Sequence, residues 1–555
     1  MNEVLLDLLN RTLSEYSKRK GISLPESFDY ELVVTKDPAH GNFASNIAFK
    51  LARYVREKPN LVADELVLLL ENEIQRKEKT KVIDRLEVAG GGFINFYMTK
   101  TALARIILEV HRKGKHYGES NYGCGRKVLL EFVSANPTGP LTIAHGRQAA
   151  VGDALARILK TTGHMVTTEY YLNDAGRQMH LLGESLWARY GELLGQPSAV
   201  PADGYQGSYL VEIAQKLLAV KSDTLLKEKR EDAIRFCSQF AADEIMKGIR
   251  EDLTAIRVTF DHYFSEDSLY KTNAVEQGLH FLKDRDFLYE KDGAVWFRSS
   301  AFGDDKDRVV KKSSGEYTYL APDIAYHRHK FERGYNWLIN LWGPDHHGYV
   351  TRLKAGCQAL GHSAEEIDIR IVQLTTLYRQ GQPVRMSTRA GEFVTLRELF
   401  KEVGVDAARC FFVMRRVESH LDFDLELAKQ KSEENPVYYL QYGHARIASL
   451  LRFADQPVTD KVNPELLQSQ EEISLMKLIS EYPDVLIQAS KTLEPYVVSD
   501  YLKELASCFH RFYQFHRVVT ENKDLTGARL LLVDAVRIVL RNGLEVLGIS
   551  QPDSM

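Results

Sequence analysis

The stretch 127–171, KVLLEFVSANPTGPLTIAHGRQAAVGDALARILKTTGHMVTTEYY, limits the folds open to this chain more than any other part of it. Residues 128–133 are apolar except for Glu131, which is the length and composition of a strand buried on both faces. Asn136, Pro137, Thr138, Gly139 and Pro140 can neither prolong a strand nor enter a helix interior. From His145 onward Ala149, Ala154, Leu155, Ile158 and Leu159 recur at helical spacing until Gly163, and residues 165–171 return to extended text. Strand, turn, helix and strand make one βαβ unit. Its helix N-terminus looks out of the C-terminal edge of a parallel sheet, where free backbone N–H groups suit a phosphate.

A second unit follows. Residues 337–342 read as another buried strand that runs into Gly343-Pro344-Asp345-His346-His347-Gly348, then a helix with Val350, Leu353, Cys357 and Leu360 inward, then a strand over 369–374. Two such units are the halves of a Rossmann-like sheet, so the fold class is α/β. The largely helical pattern at about 177–257 reads as an insertion between the halves. The first turn matches neither GxGxxG nor GxxxxGK[ST], which removes the dinucleotide and P-loop mechanisms. Asp345, His346 and His347 do not read as a metal site, because adjacent loop positions point apart and neither HExxH nor a third distant ligand accompanies them. No protein-bound zinc or other metal is expected.

A chain of 555 residues has room for three or four domains, and 44% apolar with 27% charged residues is ordinary for a soluble protein. No run of eighteen apolar residues exists and the N-terminus carries acids, so a cytoplasmic protein with no membrane partner is expected. The five cysteines contain no CxxC pair, which excludes a disulfide framework and a cysteine zinc site. With a net charge of −4, any RNA binding must rest on local patches. Residues 1–115 are such a patch in outline, with nineteen Lys/Arg against sixteen Asp/Glu. From 435 onward the pattern is helical, and Leu531, Leu532, Ala535, Val536, Val539, Leu540, Leu544 and Leu547 make an apolar stripe of the kind that forms a core.

The text EFVSANPTGPLTIAHGR, residues 131–147, resembles the HIGH signature of class I aminoacyl-tRNA synthetases in its arginyl form, approximately EFSSANPTGPLHVGHGR. Thr142 stands where the first His is usual and Ala144 where Gly is usual. Residues 381–394, GQPVRMSTRAGEFV, are a Gly-flanked loop with two cations and resemble the KMSKR loop followed by AGxFVTL, with Arg385 and Thr388 in place of the lysines. The loop at 343–349 is similar to GxDHHxY. PAHGNFASN at 38–46 and GGGFINF at 90–96 are similar to landmarks of the family's N-terminal domain, and the tail resembles the DALR-type anticodon-binding domain, with Asp534 and Arg537 near its last helix.

This resemblance to arginyl-tRNA synthetases covers nearly the whole chain. It implies an N-terminal domain over 1–115 that contacts the tRNA elbow, a class I catalytic domain over 116–425, and an all-α anticodon-binding bundle over 426–555. It also implies ligation of L-arginine to tRNA(Arg) through an arginyl-adenylate, with ATP and Mg²⁺, by a protein expected to be monomeric. His145, Thr142, Arg385 and Ser387 would serve catalysis. Thr142, Ala144, His145, Gly343, Asp345, His346, Arg385 and Met386 would hold ATP. Glu131, Asn136, Glu266, Tyr319, Asp323 and His347 would hold arginine, with Glu266, Tyr319 and Asp323 on the guanidinium, a planar five-donor cation that demands fixed acceptors. Asn42, Asn46, Tyr442 and His444 would meet tRNA. Two other readings stay open: a noncatalytic tRNA-binding relative, and a class I synthetase or nucleotidyltransferase for another substrate.

Overall fold

Five parallel strands form the central sheet, in the spatial order Ile367–Ile371, Trp337–Trp342, Lys127–Glu131, Met165–Leu172, His262–Ser265. Taken in chain order this is the 5-4-1-2-3 arrangement of two βαβ halves meeting at the first strand, as the two sequence units predict. The computed structural model describes residues 2–25, 28–35, 38–76, 82–196, 198–384 and 394–555.

The first strand ends at Glu131, two residues short of the sequence expectation. Val133 and Ser134 have φ of 66° and 41°, which turns the chain out of the sheet. A β-branched residue in the left-handed region is strained and persists only where neighbours fix it. Here the Ser134 hydroxyl donates to Glu131 Oε1 (3.2 Å) and accepts from the Tyr171 N–H (3.1 Å), so the turn is held from both adjoining strands. The helix that follows, Ile143–Thr161, starts two residues before His145, with Thr142 as its N-cap. Gly152 lets the Phe132 ring lie against this helix, because a Cβ there would stand 2.3 Å from the ring.

The insertion is three helices, Arg177–Leu193, Tyr209–Lys221 and Arg230–Ala255. A small antiparallel sheet of Leu288–Lys291, Ala294–Phe297 and Arg308–Lys311 then leads into the helix Leu320–Glu332. The last strand of the central sheet is Ile367–Ile371 and not 369–374, because its register with Trp337–Trp342 begins at Ile367 and the Val372 N–H closes on the Trp342 carbonyl (2.8 Å).

At the N-terminal side, Leu32–Val34, Phe43–Ser45, Phe93–Met98 and Ile83–Ala89 form a four-stranded antiparallel sheet with helices, and Gly90, Gly91 and Gly92, all at positive φ, make the expected glycine turn. The C-terminal part is a bundle of Pro436–Phe453, Gln470–Thr492, Tyr496–Phe515 and Lys523–Val546, the last buried nearly all round. The helix Lys100–Lys113 docks onto this bundle: His111 Nδ1 lies 2.9 Å from Asp534, and Asn542 donates to the carbonyls of Gly114 and Tyr117, each at 3.0 Å. Among the described residues no helix is long and apolar enough to cross a membrane.

Candidate active site

A cavity of about 760 Å³ opens at the C-terminal edge of the sheet between the strands Lys127–Glu131 and Trp337–Trp342, where the strand order reverses. The turn after the first strand and the start of the helix Ile143–Thr161 form one wall. The loop 343–349 forms another, and the helix Leu320–Glu332 presents Asp323 to a third.

Four carboxylates line it: Asp345 is exposed at the surface beside His346, and the partners of the other three divide them. Glu131 is neutralised: its Oε2 is 2.5 Å from Lys330 Nζ, whose side chain is wholly buried and which also donates to Asn340 Oδ1 (3.2 Å). Glu266 and Asp323 have no Lys, Arg or His partner among the described residues. Instead they accept from phenols, Asp323 Oδ2 from Tyr349 (2.6 Å) and Glu266 Oε1 from Tyr270 (3.2 Å), with Tyr171 also bonding Glu266. Burial and the neighbouring Glu266 and Glu131 push the Asp323 carboxyl up to about 7, against the pull of the Tyr349 bond, and burial raises Glu266 as well. The cavity therefore offers two acids that nothing in the described protein neutralises, fixed by hydroxyls at a spacing set by strand and helix. Such a pair suits a cation that can present several donors.

At the helix end of the cavity the Thr142 N–H donates to His145 Nδ1 (3.1 Å), with the Thr142 hydroxyl at the same distance. Nδ1 is thus the acceptor, and Nε2 carries the proton as a neutral donor beside the helix N-terminus. Burial lowers the His145 imidazolium to about 4, so the ring is uncharged near neutral pH. Asn136 lines the same side and donates to Gln178 Oε1 (2.7 Å).

The cavity brings together Glu131, Asn136, His145, Glu266, Tyr319, Asp323, Gly343, Asp345 and His346 of the residues singled out in the sequence. Others fall elsewhere. Ala144, expected on ATP, and His347, expected on arginine, are exposed outside its lining, and Thr142 reaches the cavity only through His145, so His347 is corrected from an arginine-holding residue to a surface side chain. Tyr319 stands at the rim, 81% exposed, and its carbonyl accepts from the Asp323 N–H (3.3 Å), while its phenol makes no bond to the Asp323 carboxylate. Arg385, Met386, Ser387 and Thr388 lie outside the described residues.

Sequence reasoning missed Tyr171, Tyr349 and Lys330, which set the state of the three acids, and Arg352, the described Arg or Lys in the cavity lining. Tyr349 and Arg352 had a signal, since both follow the DHH loop within one helical turn or two; Lys330 had none, being 199 residues from Glu131.

The residues expected to meet RNA are mostly structural. Asn42 is buried and ties two strands through the Met98 N–H (2.7 Å), while Asn46 accepts from the Glu31 N–H (2.8 Å). His444 is 1% exposed with Nδ1 on the Pro552 carbonyl (3.1 Å), which leaves no face for a base and corrects it to a packing residue. Tyr442 is half-exposed, stacked on Tyr438 at 5.8 Å, with the Arg446 guanidinium over both Tyr442 and Tyr513.

Comparison with known families agrees with this architecture. Residues 107–419 match "tRNA synthetases class I (R), catalytic domain", residues 3–98 match "Arginyl tRNA synthetase N terminal domain", and residues 440–555 match "DALR anticodon binding domain". The chain belongs to the arginyl-tRNA synthetase family. It is 48% identical to an arginine–tRNA ligase of Syntrophotalea carbinolica over 95% of both chains, and 43% identical to one of Legionella pneumophila over the full length of both. Among solved structures, an arginyl tRNA synthetase of Campylobacter jejuni superposes with a TM-score of 0.76 at 34% identity, over 82% of this chain and all of that one. The Thermus thermophilus arginyl-tRNA synthetase, at 20% identity and full coverage of both chains, shares the fold with a TM-score of 0.78.

Proposed function

We infer that this chain ligates L-arginine to its cognate tRNA, with ATP consumed through an arginyl-adenylate. The observation that carries the amino-acid assignment is the pair Glu266, buried, and Asp323, half-buried, both phenol-bonded and lacking a Lys, Arg or His partner among the described residues, beside a third acid that Lys330 has neutralised.

In the first step a carboxylate oxygen of arginine attacks the α-phosphorus of ATP and pyrophosphate leaves. In the second, a hydroxyl of the terminal adenosine of tRNA attacks the carbonyl and AMP leaves. Neither step needs a strong base, so the protein's contribution is alignment and charge. Glu266 and Asp323 take the guanidinium, with Tyr319 at the rim within reach of the entering ligand. Asn136 orients the α-carboxylate. His145 Nε2–H donates to phosphate at the helix N-terminus, and Gly343, Asp345 and His346 face the nucleotide side. Arg385, with Ser387 two residues on in the sequence, supplies charge to the leaving pyrophosphate. Mg²⁺ suits the phosphates and the exposed Asp345 carboxylate, a hard oxygen donor, and would offset phosphate charge. Half-exposed Tyr442 and Arg446 and the net-basic N-terminal region face tRNA, and the reaction belongs in the cytoplasm, where the tRNA pool is.

The test is calorimetric. L-arginine should bind, whereas L-lysine and L-citrulline should bind far more weakly because each leaves an acid mispaired. Equal affinity for citrulline would overturn the assignment of the two acids.

A further inference from the structure

Arg147, the second residue after His145, is wholly buried and takes no part in the cavity. Its guanidinium points away from the nucleotide side and donates from Nη1 to the carbonyls of Gln373 and Ser419, both at 2.8 Å, and from Nη2 to the carbonyl of Arg416 at 2.9 Å, with a longer contact from Nη1 to the Leu374 carbonyl at 3.5 Å. The other fully buried cations of the catalytic region each have a carboxylate: Lys330 has Glu131 and Arg409 has Asp153. Arg147 has none within ion-pair distance among the described residues, and its Nε has no partner. A buried charge solvated only by carbonyls is unfavourable on its own, so these bonds, three of them short, are retained at a cost to stability.

The carbonyls it holds belong to two short connections. Gln373 lies between the strand Ile367–Ile371 and the strand Thr375–Arg379, and Ser419 and Arg416 precede the strand Leu421–Asp424, which pairs in parallel with Thr375–Arg379. Thr375–Arg379 in turn pairs with Gln382–Pro383, and Val384 is the last described residue before the second signature in the sequence. Arg147 thus grips the base of the hairpin that precedes that signature in the chain. The residues after the signature are tied to the same helix turn: Thr395 bridges Thr142, the Leu396 N–H donates to the Leu141 carbonyl (2.9 Å), and Leu396 fills the space that glycine leaves at Gly146.

We propose that Arg147 is a positioning residue for the step to which Arg385 contributes, because it fixes the chain before the second signature to the helix turn whose start already holds the chain after it. The proposal rests on the synthetase reading, since it assigns the two signatures to one reaction. Displacement of a charged group by about 1 Å is enough to cost a positioned reaction around a hundredfold. Lysine keeps the charge at Arg147 but cannot serve three carbonyls in a fork.

Arg147→Lys should therefore lower the single-turnover rate of arginyl-adenylate formation by roughly 10–100-fold while the calorimetric affinity for arginine stays within about twofold, because the acidic end of the cavity does not touch Arg147. Placed on an Arg385→Ala background, the same substitution should cost at most a few-fold, since the group it positions is gone. A purely structural Arg147 would give the same loss on both backgrounds, or would lower arginine affinity in step with rate; either result, or an unchanged rate, overturns the proposal. Arg147→Met, which removes the charge, should behave as Arg147→Lys where it folds, and the lysine variant decides where it does not. A wild-type chain that forms no arginyl-adenylate would instead overturn the synthetase reading itself.

Discussion

Asp323 is the residue on which the chemistry turns. Asp323→Asn removes one charge facing a desolvated guanidinium, and breaking such a buried pair costs about 3–5 kcal/mol. The Michaelis constant for arginine should rise by orders of magnitude while that for ATP changes little; a near-normal arginine constant would show that Asp323 is not on the guanidinium. The same carboxyl predicts a pH dependence. The carboxyl is pushed up to about 7, and a docked guanidinium favours its ionised form, so below pH 7 arginine binding must release a proton. Arginine affinity should fall as pH drops from about 8 to about 6, approaching about tenfold per unit below 7. His145, lowered to about 4, stays neutral throughout and does not contribute to this slope. An arginine affinity flat between about pH 6 and 8 would contradict the assignment. These acids could be found from sequence because the motifs name them. Their electrostatic state could not, because it depends on Tyr171, Tyr349 and Lys330, which approach from separate elements.

At the scale of elements, the start of the helix Ile143–Thr161 accounts for a departure from the family signature. Thr142 holds His145 through its backbone N–H as well as its hydroxyl, and a backbone bond survives any side-chain change. His145→Ala should cut the rate of adenylate formation by roughly 10²–10³, the scale for losing one positioned donor, and Thr142→Ala distinctly less. If single-turnover rates rank the two variants the other way, their roles are reversed. Both βαβ units were readable from apolar runs and punctuation, yet both strand ends were misjudged. The text past Glu131 reads as strand because Phe132 and Val133 are apolar, but the chain leaves the sheet there through two left-handed residues held by local bonds from Ser134 to Glu131 and Phe132 and by the Tyr171 N–H, 37 residues away. At the other unit, Gln373 and Leu374 look like strand and instead offer carbonyls toward Arg147, a contact 226 residues distant in the chain at Gln373.

Across the whole molecule, the helix Lys100–Lys113 packs on the C-terminal bundle, so the separable N-terminal unit is the sheet and helices before it. A variant lacking residues 1–98 should keep arginine-dependent chemistry but show a higher apparent constant for tRNA and a shallower salt dependence, because phosphate contacts from the net-basic region would be lost. An unchanged salt slope in a folded deletion variant would make this unit structural. Why His444 and Asn42 misled is also a matter of the whole: polar residues in a helical or turn pattern look available until the domains that bury them are in place. The central claim, that the two unpaired acids make this an arginine-activating enzyme, is met most directly by ATP–pyrophosphate exchange over all twenty amino acids, with and without total tRNA. Exchange should appear with arginine and with no other amino acid, and be strongest when tRNA is present; exchange with another amino acid and none with arginine, or silence under every condition, would contradict it.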